Sequence, residues 1–258
     1  MKSLSVAIIG AGNMGGAVAI GLHRFAPEYS LTVTTAHAST LEKYAALGIR
    51  TSLDNVAAAL SADVVILGVK PWLVQSVLGQ LAPSLSGKVL LSLAAGIPSA
   101  QMAEWLSGTG LLAAYTVIPN LAIEVGESMT FINEISGTSG TLQTVTRLFN
   151  ATGKSMVVDE KQLVAGMMVA SCGTAFALRY IRATMEGGVE LGLYPKQALE
   201  AALQTVKGAA SLADAHGTHP EQEIDRVTTP GGITIKGLNA MEEAGFSNAV
   251  IQGLKILK

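Results

Sequence analysis

Over roughly the first 160 positions, apolar residues fall into short β-branched blocks separated by stretches with helical spacing. Residues 4–9 (Leu-Ser-Val-Ala-Ile-Ile) stop at Gly10 and predict a buried strand. From Asn13 onward Met14, Val18 and Leu22 recur at the spacing of a helix face. A second strand is predicted over 31–35 and a second helix over 39–47. Residues 63–69 (Asp-Val-Val-Ile-Leu-Gly-Val) read as a third strand, stopped by Pro71. Residues 88–93 read as a fourth, running into Ala94-Ala95-Gly96, and 112–118 as a fifth, ending at Pro119. A strand over 129–133, a helix over 141–151 and a strand over 155–158 complete the layer. Strands alternating with helices imply the α/β class, with a doubly wound, mainly parallel sheet.

The pattern changes near residue 160. Beyond it helical spacing dominates, interrupted at Leu193-Tyr194-Pro195, at Ala215–Gly217 and at Thr229–Gly232, and no strand signal survives. The expected organisation is a sheet domain over 1–159 and an all-α domain over 160–258. The uncharged apolar run 163–178 is too short to span a bilayer and reads as a buried helix, with Met167, Met168 and Met185 as core or interface filler. Neither an internal repeat nor a low-complexity tract interrupts the chain.

Composition sharpens this picture. Of 258 residues only 14% are charged while 49% are hydrophobic, and the mean hydropathy is +0.43. So sparse a charged surface predicts apolar area hidden between subunits, and therefore a homo-oligomer. The net charge of −2 gives no basic balance for nucleic acid. Cys172 is the single cysteine and no signal-peptide pattern opens the chain, so a reducing, cytoplasmic setting with no membrane partner is expected.

The chemistry begins at Gly10-Ala11-Gly12-Asn13-Met14-Gly15, a G-x-G-x-x-G motif between the first strand and the first helix. Gly10 would permit the tight turn, Gly12 the approach of backbone to a pyrophosphate, and Gly15 close helix–strand packing. The helix start would offer unpaired N–H groups and the positive dipole end to phosphate. A glycine-rich turn without a ligand is the plainer alternative. An Asp or Glu at the end of the second strand would bind the ribose diol of NAD. Here Thr35-Ala36-His37-Ala38-Ser39-Thr40 carries no acid before Glu42, while His37, Ser39 and Thr40 offer donors. NADPH is the expected cofactor, with NADH as the other candidate.

Further segments resemble the pyrroline-5-carboxylate reductase family along roughly the whole chain. Val69-Lys70-Pro71 is similar to its V-K-P element and Ala94-Ala95-Gly96-Ile97 to its A-A-G-[IV] turn. Most specific is Asp225-Arg226-Val227-Thr228-Thr229-Pro230-Gly231-Gly232-Ile233-Thr234, close to D-x-V-[TS]-[TS]-P-G-G-x-T, with Glu242-Glu243-Ala244-Gly245-Phe246 following. The resemblance implies an N-terminal Rossmann domain, a C-terminal helical domain that interlocks with a partner copy, and reduction of Δ1-pyrroline-5-carboxylate to L-proline. It places cofactor contacts on the Gly10 to Gly15 loop, Asn55, Val69, Lys70, Pro71, Ala94, Ala95 and Gly96. It places substrate-carboxylate contacts on Thr229, Gly231, Gly232, Ile233 and Thr234. The residues supply a reason for the second set. Pro230-Gly231-Gly232 breaks the chain before a helical run over 233–244, leaving free N–H groups at a helix start, to which Thr234 adds a hydroxyl.

Two segments depart from the family pattern. Thr116-Val117-Ile118-Pro119-Asn120-Leu121-Ala122 stands for R-x-M-P-N-T-P, and Ala170-Ser171-Cys172-Gly173-Thr174-Ala175-Phe176 for S-G-S-G-P-A-Y. Both segments fall where the family resemblance implies nicotinamide and substrate, so a reductase of another small cyclic imine or keto acid, or a non-catalytic NADP-binding regulator, stays open. Hydride transfer to an imine that solution has already protonated needs no strong side-chain acid, which suits a chain without an evident His–carboxylate pair. Thr234 is the candidate for orienting or donating to the imine nitrogen. No metal site is expected, because His216 and His219 lack a nearby third ligand beside Gly217 and Pro220. Cys172 reads as a small packed residue, and Lys70, followed by Pro71, as a cofactor contact rather than a catalytic amine.

Overall fold

The computed structural model describes residues 4–256, and the chain divides into two compact units, Met1–Ser171 and Cys172–Lys258. In the first unit the chain runs β1 (Ser5–Ile9), α1 (Asn13–Phe25), β2 (Ser30–Thr34), α2 (Ala38–Ala46), β3 (Arg50–Ser52), α3 (Asn55–Leu60) and β4 (Val64–Leu67). It continues through α4 (Val74–Leu81), β5 (Val89–Ser92), α5 (Ser99–Trp105), β6 (Ala113–Ile118), β7 (Ser128–Ser136), α6 (Ser139–Asn150), β8 (Gly153–Val157) and α7 (Glu160–Met167). The strands form one sheet in the order β3-β2-β1-β4-β5-β6-β7-β8. Every neighbouring pair is parallel except β6 with β7. The expected doubly wound, mainly parallel sheet is what the chain builds.

Successive residues of each central strand face opposite sides, and both sides are covered, which explains strands that read as unbroken apolar runs. Val6, Ile8, Val64, Ile66, Val89 and Leu91 share one core with Val18 and Leu22 of α1, Tyr44 of α2, and Val145 and Phe149 of α6. Ala7, Ile9, Val65, Leu67 and Leu90 share the other with Ala58 and Ala59 of α3, Val77 and Leu81 of α4, and Met102 of α5. Burying each such Val, Leu or Ile is worth about 1.5–3 kcal/mol, so two filled cores hold the strand ends rigidly enough to present loops. Pattern reading did not anticipate β3 or α3 to α5. β3 is Arg-Thr-Ser on the sheet edge, too short and too polar to announce itself, and α3 to α5 are no longer than eight residues each.

The single buried helix expected over 163–178 is corrected. α7 gives way to a π-helical turn, Met168–Cys172, and then to α8 (Gly173–Glu190), none of whose residues is buried. Only Leu163, Gly166 and Met168 lie inside along this stretch. Its continuous helical span, Glu160–Glu190, is also long and apolar enough to cross a membrane by length and composition, contrary to the estimate from the uncharged run alone.

The second unit holds α8, α9 (Pro195–His216), α10 (Pro220–Val227), α11 (Ile233–Glu243) and α12 (Phe246–Lys255), with no strand among its described residues. The predicted breaks have local causes. Pro195 and Pro220 occupy first helical positions, where a missing N–H costs nothing. Gly217 closes α9 at φ +62°, a conformation glycine adopts without strain. α8 packs on α9 and carries α12: the rings of Tyr180 and Phe246 meet edge to face at 6.2 Å, and Phe176 lies against Gly253. Ala198 and Ala202 of α9 are the only buried side chains among the unit's described residues.

Candidate functional site

The phosphate-loop motif lies at the switch point of the sheet, where β2 and β4 flank β1 on opposite sides. Open α/β sheets bind ligands in the crevice at such a point. Gly10 takes φ +96°, and its N–H and that of Ala11 both donate to the Thr34 carbonyl, at 3.1 and 2.8 Å. A Cβ on Gly15 would strike the Gly10 carbonyl oxygen, and one on Gly68 would come within 2.5 Å of the same atom. These three glycines let the loop, the end of β4 and the first turn of α1 interlock. Gly12 differs, since no atom beyond its chain neighbours lies within 4 Å of where its Cβ would stand. Gly12 also caps α1 without any side-chain hydrogen bond. Open space over an uncapped helix start fits a pyrophosphate.

Tyr44, wholly buried on α2, braces the loop from behind, its hydroxyl donating to the Ala11 carbonyl at 3.4 Å and touching the space a Gly16 side chain would need. His37 and Ser39 lie exposed at the start of α2, with His37 as its N-cap. No carboxylate stands at the end of β2. Asn55, the first residue of α3, is brought to that end because β3 pairs with β2, Ser52 opposite Thr34. The Thr34 hydroxyl donates to Asn55 Oδ1 at 2.6 Å. Val69 packs against Gly10, Lys70 is exposed, and Pro71 opens a short 3-10 turn at the end of β4. Past β5, the Ala94 N–H donates to Ser92 Oγ and Gly96 turns at φ +80°.

At the end of β6 the departing segment is tied to the π turn. Asn120, 8% exposed, accepts from the Ala122 N–H at 3.1 Å and donates to the Ala170 carbonyl at 3.3 Å, while the Ser171 hydroxyl donates to the Pro119 carbonyl. Ala95, Ile118, Phe131, Leu163 and Ala170 form one apolar cluster beneath it. Thus the ends of β5 and β6 and the π-turn residues Ala170 and Ser171 meet within the first unit, and π turns commonly mark functional positions. Asn120→Ala removes both side-chain bonds, so the Ala122 N–H loses its side-chain acceptor and the tie to the Ala170 carbonyl is cut. A loss of about 1–3 kcal/mol is expected, read as a fall in urea midpoint with unchanged slope.

In the second unit, Thr228 caps α10, Gly231 turns at φ +71°, and the Gly232 N–H donates to the Thr229 carbonyl at 2.9 Å. Gly232 is the N-cap of α11 and brings no side chain to it. Ile233 and Thr234 stand exposed on its first turn. The predicted loop is therefore a second helix start with bare N–H groups. His216 lies 2.9 Å from a Glu223 oxygen that also accepts from Thr218, and Arg226 pairs with the other oxygen at 2.7 Å. The Thr218 hydroxyl first, and His216 after it, hold the Glu223 carboxyl below the ordinary carboxylate range. His219 caps α10, accepting the Glu221 N–H. Both histidines thus have structural tasks at this turn. Cys172 is half-buried at the end of the π turn.

Residues 160–256 match the family model described as pyrroline-5-carboxylate reductase dimerisation, and residues 5–96 match that described as NADP oxidoreductase coenzyme F420-dependent. A pyrroline-5-carboxylate reductase of Methanosarcina acetivorans is 36% identical over 98% of this chain and 96% of its own length. Pyrroline-5-carboxylate reductase 2 of Dictyostelium discoideum is 34% identical over 97% and 89%. The chain belongs to the pyrroline-5-carboxylate reductase family. Among solved structures, the Plasmodium falciparum pyrroline carboxylate reductase with NADP bound aligns over 100% of this chain and 96% of its own, at TM-score 0.88 and 25% identity. The Coxiella burnetii pyrroline-5-carboxylate reductase aligns over the same shares at 0.87 and 27%. Pattern reading found the glycines of this reductase fold but missed Thr34 and Tyr44. Each acts through a contact with residues at least twenty positions away, and neither belongs to a motif.

Proposed function

We propose that this chain reduces Δ1-pyrroline-5-carboxylate to L-proline with NADPH, the last step of proline biosynthesis. The observation that carries the reading is the pair of helix starts, α1 and α11, each capped by a glycine that leaves backbone N–H groups bare. In a reductase of this family such ends suit a pyrophosphate and a substrate carboxylate. Gly10, Ala11, Gly12, Asn13, Met14 and Gly15 hold the pyrophosphate. His37, Ser39 and Asn55 serve the adenosine end, and Val69, Lys70, Pro71, Ala94, Ala95 and Gly96 line the path along the strand ends. Thr229, Gly231, Gly232, Ile233 and Thr234 hold the carboxylate, with the Thr234 hydroxyl orienting the ring nitrogen.

Bound NADPH supplies the hydride. The ring imine arrives protonated from solution; its carbon gains the new C–H bond, the C=N π electrons settle on nitrogen, and the secondary amine results. The protein's part is to orient and to exclude water rather than to donate a proton, since reacting atoms held about 3–3.5 Å apart need little more. The half-covered faces of α8 to α12 supply the surface for a second copy, so the working form is a homodimer or a larger assembly of it. The apolar stretch Glu160–Glu190 then faces protein instead of lipid, in keeping with a cytoplasmic enzyme whose one cysteine forms no bridge.

Steady-state assays with pyrroline-5-carboxylate, run with NADPH and with NADH, test this. Thr234→Ala should raise the imine KM about threefold to tenfold, the value of one lost neutral hydrogen bond, and the NADPH KM less than about twofold. Equal effects on both would remove Thr234 from the substrate. Tight NADPH binding with no substrate-dependent loss of nicotinamide absorbance would make the protein a regulator. Faster turnover of another small cyclic imine would change the substrate.

A further inference from the structure

We infer that Thr34 is a positioning residue that sets this chain's preference for the 2′-phosphate of NADPH, acting through Asn55. The inference rests on the proposed cofactor reading and adds the device by which an acid-free, arginine-free strand end would discriminate. Thr34 is the last residue of β2 and is fully buried, with 0% of its surface exposed. Its two polar ends serve two parts of the crevice. The carbonyl accepts the N–H groups of Gly10 and Ala11, fixing the phosphate loop. The hydroxyl donates to Asn55 Oδ1 at 2.6 Å.

The direction of that second bond decides what Asn55 presents. A carboxamide has an acceptor end and a donor end, and the Thr34 hydroxyl occupies the acceptor. The Nδ2 end has no hydrogen-bond partner among the described residues, and no buried side-chain nitrogen or oxygen among them is left unpaired, so Nδ2 is not sealed from solvent. In a dinucleotide-binding sheet the end of the second strand is where the adenosine ribose is read, usually by a carboxylate that selects for a free 2′-hydroxyl. Here that place holds a neutral amide with its N–H groups turned outward, which suits a 2′-phosphate and has no charge to repel it. Were the amide turned over, its oxygen would face the phosphate instead. A turned amide would donate Nδ2–H to the Thr34 oxygen and leave the buried hydroxyl proton without the acceptor it now has, which opposes turning; the arrangement depends on β3 and α3 being folded back beside β2.

Thr34→Val isolates this role, because valine keeps the shape and the backbone carbonyl that holds Gly10 and Ala11 while removing the hydroxyl. Dissociation constants for NADPH and NADH are measured by quenching of intrinsic fluorescence, with no substrate present. Thr34→Val is expected to weaken NADPH about tenfold and NADH less than about twofold, while Thr34→Ser restores the wild-type ratio. In an Asn55→Ala background, Thr34→Val should add no further loss of NADPH affinity, as two residues acting through one contact are not additive. An equal loss for both nucleotides, or additive losses in the double variant, overturns the inference and leaves the cofactor reading intact. Failure of the wild-type chain to bind either nucleotide overturns the cofactor reading itself.

Discussion

Gly12→Val should leave the first unit folded and weaken NADPH binding by about 100-fold, equivalent to about 2.8 kcal/mol. The two halves of this expectation come from the same observation. Beyond Gly12 and its two chain neighbours, nothing lies within 4 Å of a Cβ at this position, and its φ of −72° is one that any residue adopts, so the added Cβ meets neither clash nor strain. The melting temperature should move by no more than about 2 °C, since each kcal/mol shifts a domain of this size by about 2–4 °C. The valine instead fills the space over Asn13, Met14 and Gly15, where the pyrophosphate would meet the helix N–H groups. Gly15→Ala is the contrasting control. Its methyl group would drive into the Gly10 carbonyl and toward Gly68, so it should destabilise by about 1–3 kcal/mol or more and lose the cofactor through the fold. Calorimetric melting beside NADPH titration separates the two. If Gly12→Val bound NADPH within threefold of wild type, the pyrophosphate would have to lie elsewhere.

That contrast also marks what can be read from sequence. A glycine forced to φ +96°, or pressed against a carbonyl, announces itself because no other residue satisfies the position, and so Gly10 and Gly15 were legible within their own motif. The central strands were legible for a similar reason, since burial on both faces admits only apolar side chains. The rest was not, because its causes are distant. Thr34 looks like any threonine ending a strand until α3 returns beside it. Asn120 acquires its meaning from the Ala170 carbonyl, fifty residues on, and Ser99 from the Asn133 and Glu160 oxygens it meets. The expectation of a buried helix over 163–178 went astray on a different point. Apolar spacing reports that a face avoids water but says nothing of which chain covers it, and in this molecule α8 hides no residue within its own chain.

The second large effect follows from that uncovered helix. Leu178→Asp should separate the assembly into single chains and strip the second unit of much of its helix. Leu178 is 57% exposed in the isolated chain and sits half a helical turn from both Phe176 and Tyr180, on the side of α8 away from α12. Helices in water owe most of their stability to an apolar face packed on something, and among its described residues this unit buries only Ala198 and Ala202 by itself. A second copy that covers the face therefore stabilises the fold as well as the assembly, and the melting temperature of the wild-type protein should rise with concentration. An aspartate at that position would lose its hydration without a partner, weakening association by about 100-fold or more. Analytical ultracentrifugation and far-ultraviolet circular dichroism, taken across a dilution series, read both consequences. Wild-type protein that sediments as a single chain and keeps its full helical signal at every concentration would refute the assignment. Were lipid the true cover, Glu160–Glu190 would instead carry the wild-type chain onto neutral phosphatidylcholine vesicles in a flotation gradient, and Leu178→Asp would release it from them.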